Sequence, residues 1–151
     1  GALTLFVSAL ITAGIGPWLP YQMLAAGWMG MGAAWLPHPR RGSSAEAFVL
    51  AGYGFVWGFL YGGLTNLYFW PYVIGAPDIS WSPGLPVAES LRRYGAFYLV
   101  SSLVWDSLRA VGNAILLAGL SLPLLKVLRR FERRAAVRWL DAPSSKLKTI
   151  P

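Results

Sequence analysis

This sequence predicts an all-α, polytopic membrane protein built as a helix bundle. Three observations predict it. The 151 residues are 56% hydrophobic, with a mean hydropathy of +0.50. Only 13% are charged, about half the share of a soluble domain, while eight are tryptophan. The net charge of +7 is also unevenly placed. Lys126, Arg129, Arg130, Arg133, Arg134, Arg138, Lys146 and Lys148 all lie in the last 26 residues, directly after an apolar run. A nucleic-acid binder would spread its cations over a folded polar surface. Cations clustered beside an apolar run orient a helix in a bilayer instead. Membrane lipid is therefore an expected partner and nucleic acid is not. With no cysteine, disulfide and thiolate chemistry are excluded.

The first apolar segment is residues 2–15, ending at Gly16-Pro17-Trp18-Leu19-Pro20, a rigid turn with two prolines. It is shorter than the roughly 20 residues of a crossing. No charged stretch precedes it, so it does not read as a signal peptide. The expectation is a C-terminal part of a longer protein whose earlier spans precede Gly1. The second segment, 21–36, stops at Pro37-His38-Pro39-Arg40-Arg41-Gly42. The third, 47–70, follows the cap-like Ser43-Ser44 with Glu46 near the first turn. The fourth surrounds 110–125.

Between the third and fourth lies a loop, 71–86, with Asp78 and no Lys or Arg, followed by a short apolar stretch at 94–105. If the Arg40-Arg41 loop and the C-terminal tail are both cytoplasmic, an even number of crossings separates them. The stretch 94–105 is then re-entrant or interfacial, or the first part of a long bent helix. Four spanning helices and a single domain over 1–141 are expected, with 142–151 a flexible cytoplasmic tail. Residues 124–139 are amphipathic: Leu124, Val127, Leu128, Phe131, Ala135 and Trp139 recur at helical spacing opposite Lys and Arg. Such a helix lies on an anionic leaflet.

Small residues give two ridges at GxxxG spacing, Gly54, Gly58 and Gly62 and then Ala26, Gly30 and Ala34. In lipid, close backbone approach at small residues holds helices together. Each ridge serves either packing within the chain or contact with a membrane partner.

Asp106, Arg109 and Asn113 share one helical face, at the end of the fourth segment opposite the basic tail. Ionisable groups in or beside a span are costly and mark a site. The same outer face collects Trp18, Tyr21, Gln22, Asn66, Tyr68, Trp70, Tyr72, Trp81, Glu89, Arg92 and Arg93. Aromatic walls with a few amides and charges suit a bound small molecule. The alternatives are an interfacial aromatic belt, mutual neutralisation of Asp106 and Arg109, and a local pairing of Glu89 with Arg92 or Arg93. Catalysis is poorly supported. His38 sits between two prolines without partners, so no metal site is expected, and no GxSxG, HExxH or P-loop pattern is present. No enzyme activity and no cofactor bound by this chain are expected.

Four stretches, read in order, resemble a known family. GALTLFVSALITAGIGPWLPYQMLAAGWMGMGAAWLP, YGGLTNLYFWPY, ESLRRYGAFYLVSSLVWDSLRAVGNAILLAG and LPLLKVLRRFERR together look like the substrate-binding S component of energy-coupling factor (ECF) transporters, in its actinobacterial-type form. The resemblance covers nearly the whole chain. It implies six membrane helices with both ends cytoplasmic, of which this chain holds the last four, in a bacterial plasma membrane. It implies capture of a vitamin-class micronutrient from outside, and delivery through a transmembrane T component and two ATPase subunits that use ATP. Carried onto this sequence, the ligand-facing residues are Gln22, Asn66, Asp106, Arg109 and Asn113. The subgroup looks similar to cobalamin-type carriers, which puts a corrinoid first and leaves riboflavin, thiamine and biotin open. The alternatives are an accessory or scaffold subunit of a larger membrane complex, with the glycine ridges as contacts, and a membrane-embedded enzyme using Asp106 or Glu89.

Overall fold

The structure, a computed structural model, describes residues 1–12, 14–37 and 39–140, with side chains as far as Arg134. His38, the end 142–151 and the side chains of Ala135, Arg138 and Trp139 lie outside what is described. Regular structure among the described residues is helical: α1 (Ala2–Ile11), α2 (Leu19–Gly32), α3 (Ser44–Phe69), α4 (Val87–Ser101) and α5 (Leu103–Leu140). Short 3-10 turns, Ala33–Trp35 and Trp70–Tyr72, extend α2 and α3.

Local chemistry sets the helix ends. α1 stops before residue 15: the Thr12 hydroxyl turns back onto the Ser8 carbonyl at 2.7 Å, and Gly14 takes φ +75°. α2 begins two residues before Tyr21, with Pro20 in its first turn, where a missing N–H costs nothing. α3 starts at Ser44 rather than 47. The Ser43 hydroxyl accepts from the Glu46 amide at 3.3 Å, while the Glu46 carboxylate accepts from the Gly42 amide at 2.7 Å. This is a capping-box arrangement shifted by one residue.

The stretch 94–105 is not one element. Ser102, at φ −133° and ψ −20°, ends α4 and lets α5 begin immediately. α5 therefore runs well beyond 110–125 in both directions and contains Pro123.

Among the described residues two helices are long and apolar enough to cross a membrane: α3 with its 3-10 turn (Ser44–Tyr72) and α5 over Leu103–Arg134. Only 28% and 6% of their most apolar windows are buried, whereas the core helix of a soluble protein is mostly buried. α1 and α2, with 10 and 14 residues, rise about 15 and 21 Å, short of a hydrocarbon core of about 30 Å. Of the four expected spans, two thus reach crossing length as single helices. The stop at Thr12, the turn ahead of Leu19 and the Pro37 corner cut the other two short.

α3 is the element the others gather on. α5 packs antiparallel along a stripe of small residues, Ala47, Ala51, Gly54, Gly58 and Gly62, all buried. The glycines leave no room. A Cβ at Gly58 would collide with the Ala110 backbone, and one at Gly62 would fall on the Asp106 carboxylate. α2 lies about 100° round α3, against Tyr53 and Tyr68, and α1 packs on α2.

The second small-residue ridge does not form a seam. Ala26 is buried, in contact with Gly1, but Gly30 and Ala34 are exposed. α2 meets α3 instead through Met29, whose carbonyl accepts from the Tyr53 hydroxyl, and Gly32, over which the same hydroxyl sits. This face is rotated one residue from the ridge, because the partner is a tyrosine tip rather than a backbone.

Candidate functional site: a polar cluster at one end of the α3–α5 seam

The antiparallel seam separates two kinds of chemistry. At the α3 N-terminus Glu46 pairs with Arg129 of α5. About 24 Å along α3, at Gly62, sits Asp106, itself only 2% exposed. The Asp106 carboxylate accepts from the Arg109 guanidinium and, at 2.8 Å, from the Tyr98 hydroxyl. It lies in the first turn of α5, where unpaired N–H groups favour negative charge.

The bend at Ser102 brings Tyr98 into range. On a straight helix, residues eight apart are separated by about 12 Å along the axis, and side chains lean toward the N-terminus, away from the later residue. The same bend holds Ser102 where its hydroxyl accepts from the Asn66 side-chain amide at 2.6 Å. Tyr94 reaches from α4 to the Gly63 carbonyl. The Arg109 side chain keeps 41% of its surface exposed and lies 5.5 Å over the Tyr61 ring. Lower on the seam, Asn113 donates to the Gly54 carbonyl at 3.2 Å.

An aromatic layer lies at the same end. Tyr21 packs 4.3 Å from Tyr68, which also meets Phe69 and Tyr72. Trp70 is buried, donates its indole N–H to the Ile79 carbonyl at 2.8 Å, and packs on Tyr94. Trp18 folds its ring over Gly16. On α4, Glu89 accepts from Arg92 and Arg93, and these guanidinium groups hold its carboxyl down at about 2. Arg93 also donates to the Pro77 and Ser80 carbonyls at 2.7 and 3.3 Å, fastening the 73–86 loop to α4. An apolar groove of about 340 Å³ runs beside the cluster between α3 and α4, with Tyr94 and Tyr98 on its wall.

The structure brings together Asn66, Tyr68, Trp70, Asp106 and Arg109 at one end of α3. Trp18 and Gln22 join that end through the start of α2. Arg92 stands apart, 59% exposed on α4 and paired to Glu89. Asn66, Asp106 and Asn113 spend hydrogen bonds inside the chain, so each ties helices together whatever else it contacts. Sequence reasoning missed Tyr61, Tyr94, Tyr98 and Ser102. Nothing in a helical repeat shows that a one-residue break at Ser102 will fold α4 over the head of α5. The alternation of Tyr94 and Tyr98 at i and i+4, facing α3, was the available signal.

No protein-family model matches this chain, and neither a curated protein nor a solved structure does.

Proposed function

We propose that this chain is the substrate-binding membrane subunit of an ECF-type, ATP-driven importer, taking a vitamin-class micronutrient at the end that carries Asp106 and Arg109. In this reading α3 and α5 cross a bacterial plasma membrane together with the segments 2–15 and 21–36, whose helices α1 and α2 need their non-helical ends to complete the crossing; α4 lies re-entrant or interfacial at the outer face, and the C-terminus is cytoplasmic. ATP is used by two partner ATPase subunits, coupled through a T component. A corrinoid is the first candidate ligand. The carrying observation is Arg109, whose charge is balanced by a buried Asp106 while its side chain stays 41% exposed, with the guanidinium over the Tyr61 ring. A fixed donor on an aromatic wall is what orients a flat polar ligand.

The test is to purify the full-length protein from its host in mild detergent, denature it, and identify released small molecules by mass spectrometry and absorbance. A stoichiometric vitamin that Arg109→Lys weakens supports the reading. Lysine keeps Asp106 neutralised but loses the guanidinium fork. A ligand-free preparation that still holds other membrane subunits argues for the second reading, an accessory or scaffold subunit. That reading is favoured by the internal hydrogen bonds of Asn66, Asp106 and Asn113.

A further inference from the structure

The end opposite the Asp106 cluster carries a second concave site. A cavity of about 860 Å³ opens between the α2–α3 connection and α5 over residues 122–134. Arg41 enters from the connection; Lys126, Arg129, Arg130, Arg133 and Arg134 enter from α5. At 100° per residue these five fall within about 140° of one face of α5. Glu132 falls outside that arc. Glu46 neutralises Arg129; among the described residues the other five cations have no ion-pair partner. Leu122 and Pro123 also line it, at the point where α5 passes from apolar to basic sequence.

Two further features narrow the occupant. The next face of α5 holds Leu124, Val127, Leu128 and Phe131, between 52% and 63% exposed. An apolar flank therefore runs beside the cationic cup, as acyl chains require beside a headgroup. The cup is also built from two separate elements, one of them anchored: the Gly42 amide is held by Glu46, and Glu46 in turn holds Arg129. Arg41, exposed and next to this anchored amide, lines the cavity across from α5. Five unbalanced charges exceed what a single phosphodiester needs and suit a headgroup with two.

We propose that this cavity binds the headgroup of an anionic phospholipid, with preference for a lipid carrying two phosphates, and that its acyl chains lie along the apolar flank of α5. Basic pockets between membrane helices at the cytoplasmic surface recognise such headgroups through guanidinium–phosphate pairs. The proposal needs α3 and α5 to lie in a membrane. It does not depend on the micronutrient reading, and either can fail alone.

The test uses the full-length protein in mild detergent, incubated with an equimolar mixture of diphosphatidylglycerol and phosphatidylcholine and measured by native mass spectrometry. The expected result is retention of diphosphatidylglycerol over phosphatidylcholine by the wild-type protein. Lys126→Gln with Arg130→Gln should weaken it about 25-fold, at about fivefold per cation. Among the described residues these side chains make no ion pair, so thermal midpoints without lipid should match the wild type. A third arm adds inorganic pyrophosphate: if it displaces the lipid at equal concentration, the site is one for a free anion and the proposal falls. Equal retention of both lipids, or an unchanged affinity in the double variant, also overturns it. So does a basic face that stays lipid-free because a co-purified acidic protein occupies it.

Discussion

Asp106 meets Tyr98, Arg109 and the bare backbone at Gly62, with almost no water. A carboxylate so placed keeps its charge only if the partners replace hydration, and Arg109 supplies the balancing charge. Removing Arg109 leaves Asp106 uncompensated, and the cost is set by the stranded charge rather than by the lost contact. Arg109→Ala is expected to cost about 3 kcal/mol. Adding Asp106→Asn should recover most of that, since asparagine still accepts from Tyr98 and no longer needs a counter-charge. Thermal midpoints in detergent for the two single variants and the double variant check this. A double variant no more stable than Arg109→Ala would show that Asp106 does not carry a buried charge. The sequence made this pair legible through its i, i+3 spacing. It hid Tyr98 and Ser102, whose roles depend on a bend that no periodicity records.

At the scale of elements, the α3–α5 seam is a contact between small side chains, so its strength depends on how closely two backbones approach. In lipid there is little hydrophobic gain between helices, and dispersion at close range has to hold them. Gly58 and Gly52, six residues apart on α3, separate this effect from helix propensity. A Cβ at Gly58 would strike the Ala110 backbone, which cannot rotate away, whereas a Cβ at Gly52 meets open space. Gly58→Ala is expected to destabilise by about 1–3 kcal/mol through overpacking. Gly52→Ala should be neutral or stabilise by up to about 1 kcal/mol. Unfolding in mixed micelles compares them, and equal midpoints would mean that the seam is looser than described. The GxxxG spacing on α3 was readable because the contact repeats every turn. The same spacing on α2 makes no seam with α3, because Tyr53 approaches that helix with a long side chain and needs only Gly32 and the Met29 carbonyl. Helix ends were the least legible feature: Ser43 announced the start of α3, but Pro20, which reads as part of a turn, lies inside the first turn of α2, and the stop at Thr12 and the break at Ser102 arise from single hydroxyl and backbone choices.

Over the whole molecule, charge is sorted along the seam. Arg41, Lys126 and the following arginines lie with Glu46 at one end, while Asp106, the aromatic layer and the 73–86 loop lie at the other. The two ion pairs, Glu46–Arg129 and Asp106–Arg109, bracket the stretch of α3 that carries the buried glycines. Its length of about 24 Å, plus the polar turns beyond it, matches one leaflet-to-leaflet crossing. If this sorting reflects a bilayer, the basic end faces the cytoplasm, and the turn at Ile15 shares the outer side with Ser82. Residues 1–151 contain no cysteine, so single thiols introduced among them report the arrangement directly. Ile15→Cys, Ser82→Cys and Glu132→Cys place single thiols at exposed positions in the α1–α2 turn, the 73–86 loop and α5. A membrane-impermeant maleimide should label the first two in intact cells and the third only after permeabilisation. Labelling of Ser82→Cys and Glu132→Cys from the same side would mean that α5 does not cross. Outer labelling of Ser82→Cys with an inaccessible Ile15→Cys would leave α3 and α5 as spans and remove α1 and α2 from the crossing set, because two short helices joined by an outer turn must present that turn to the label.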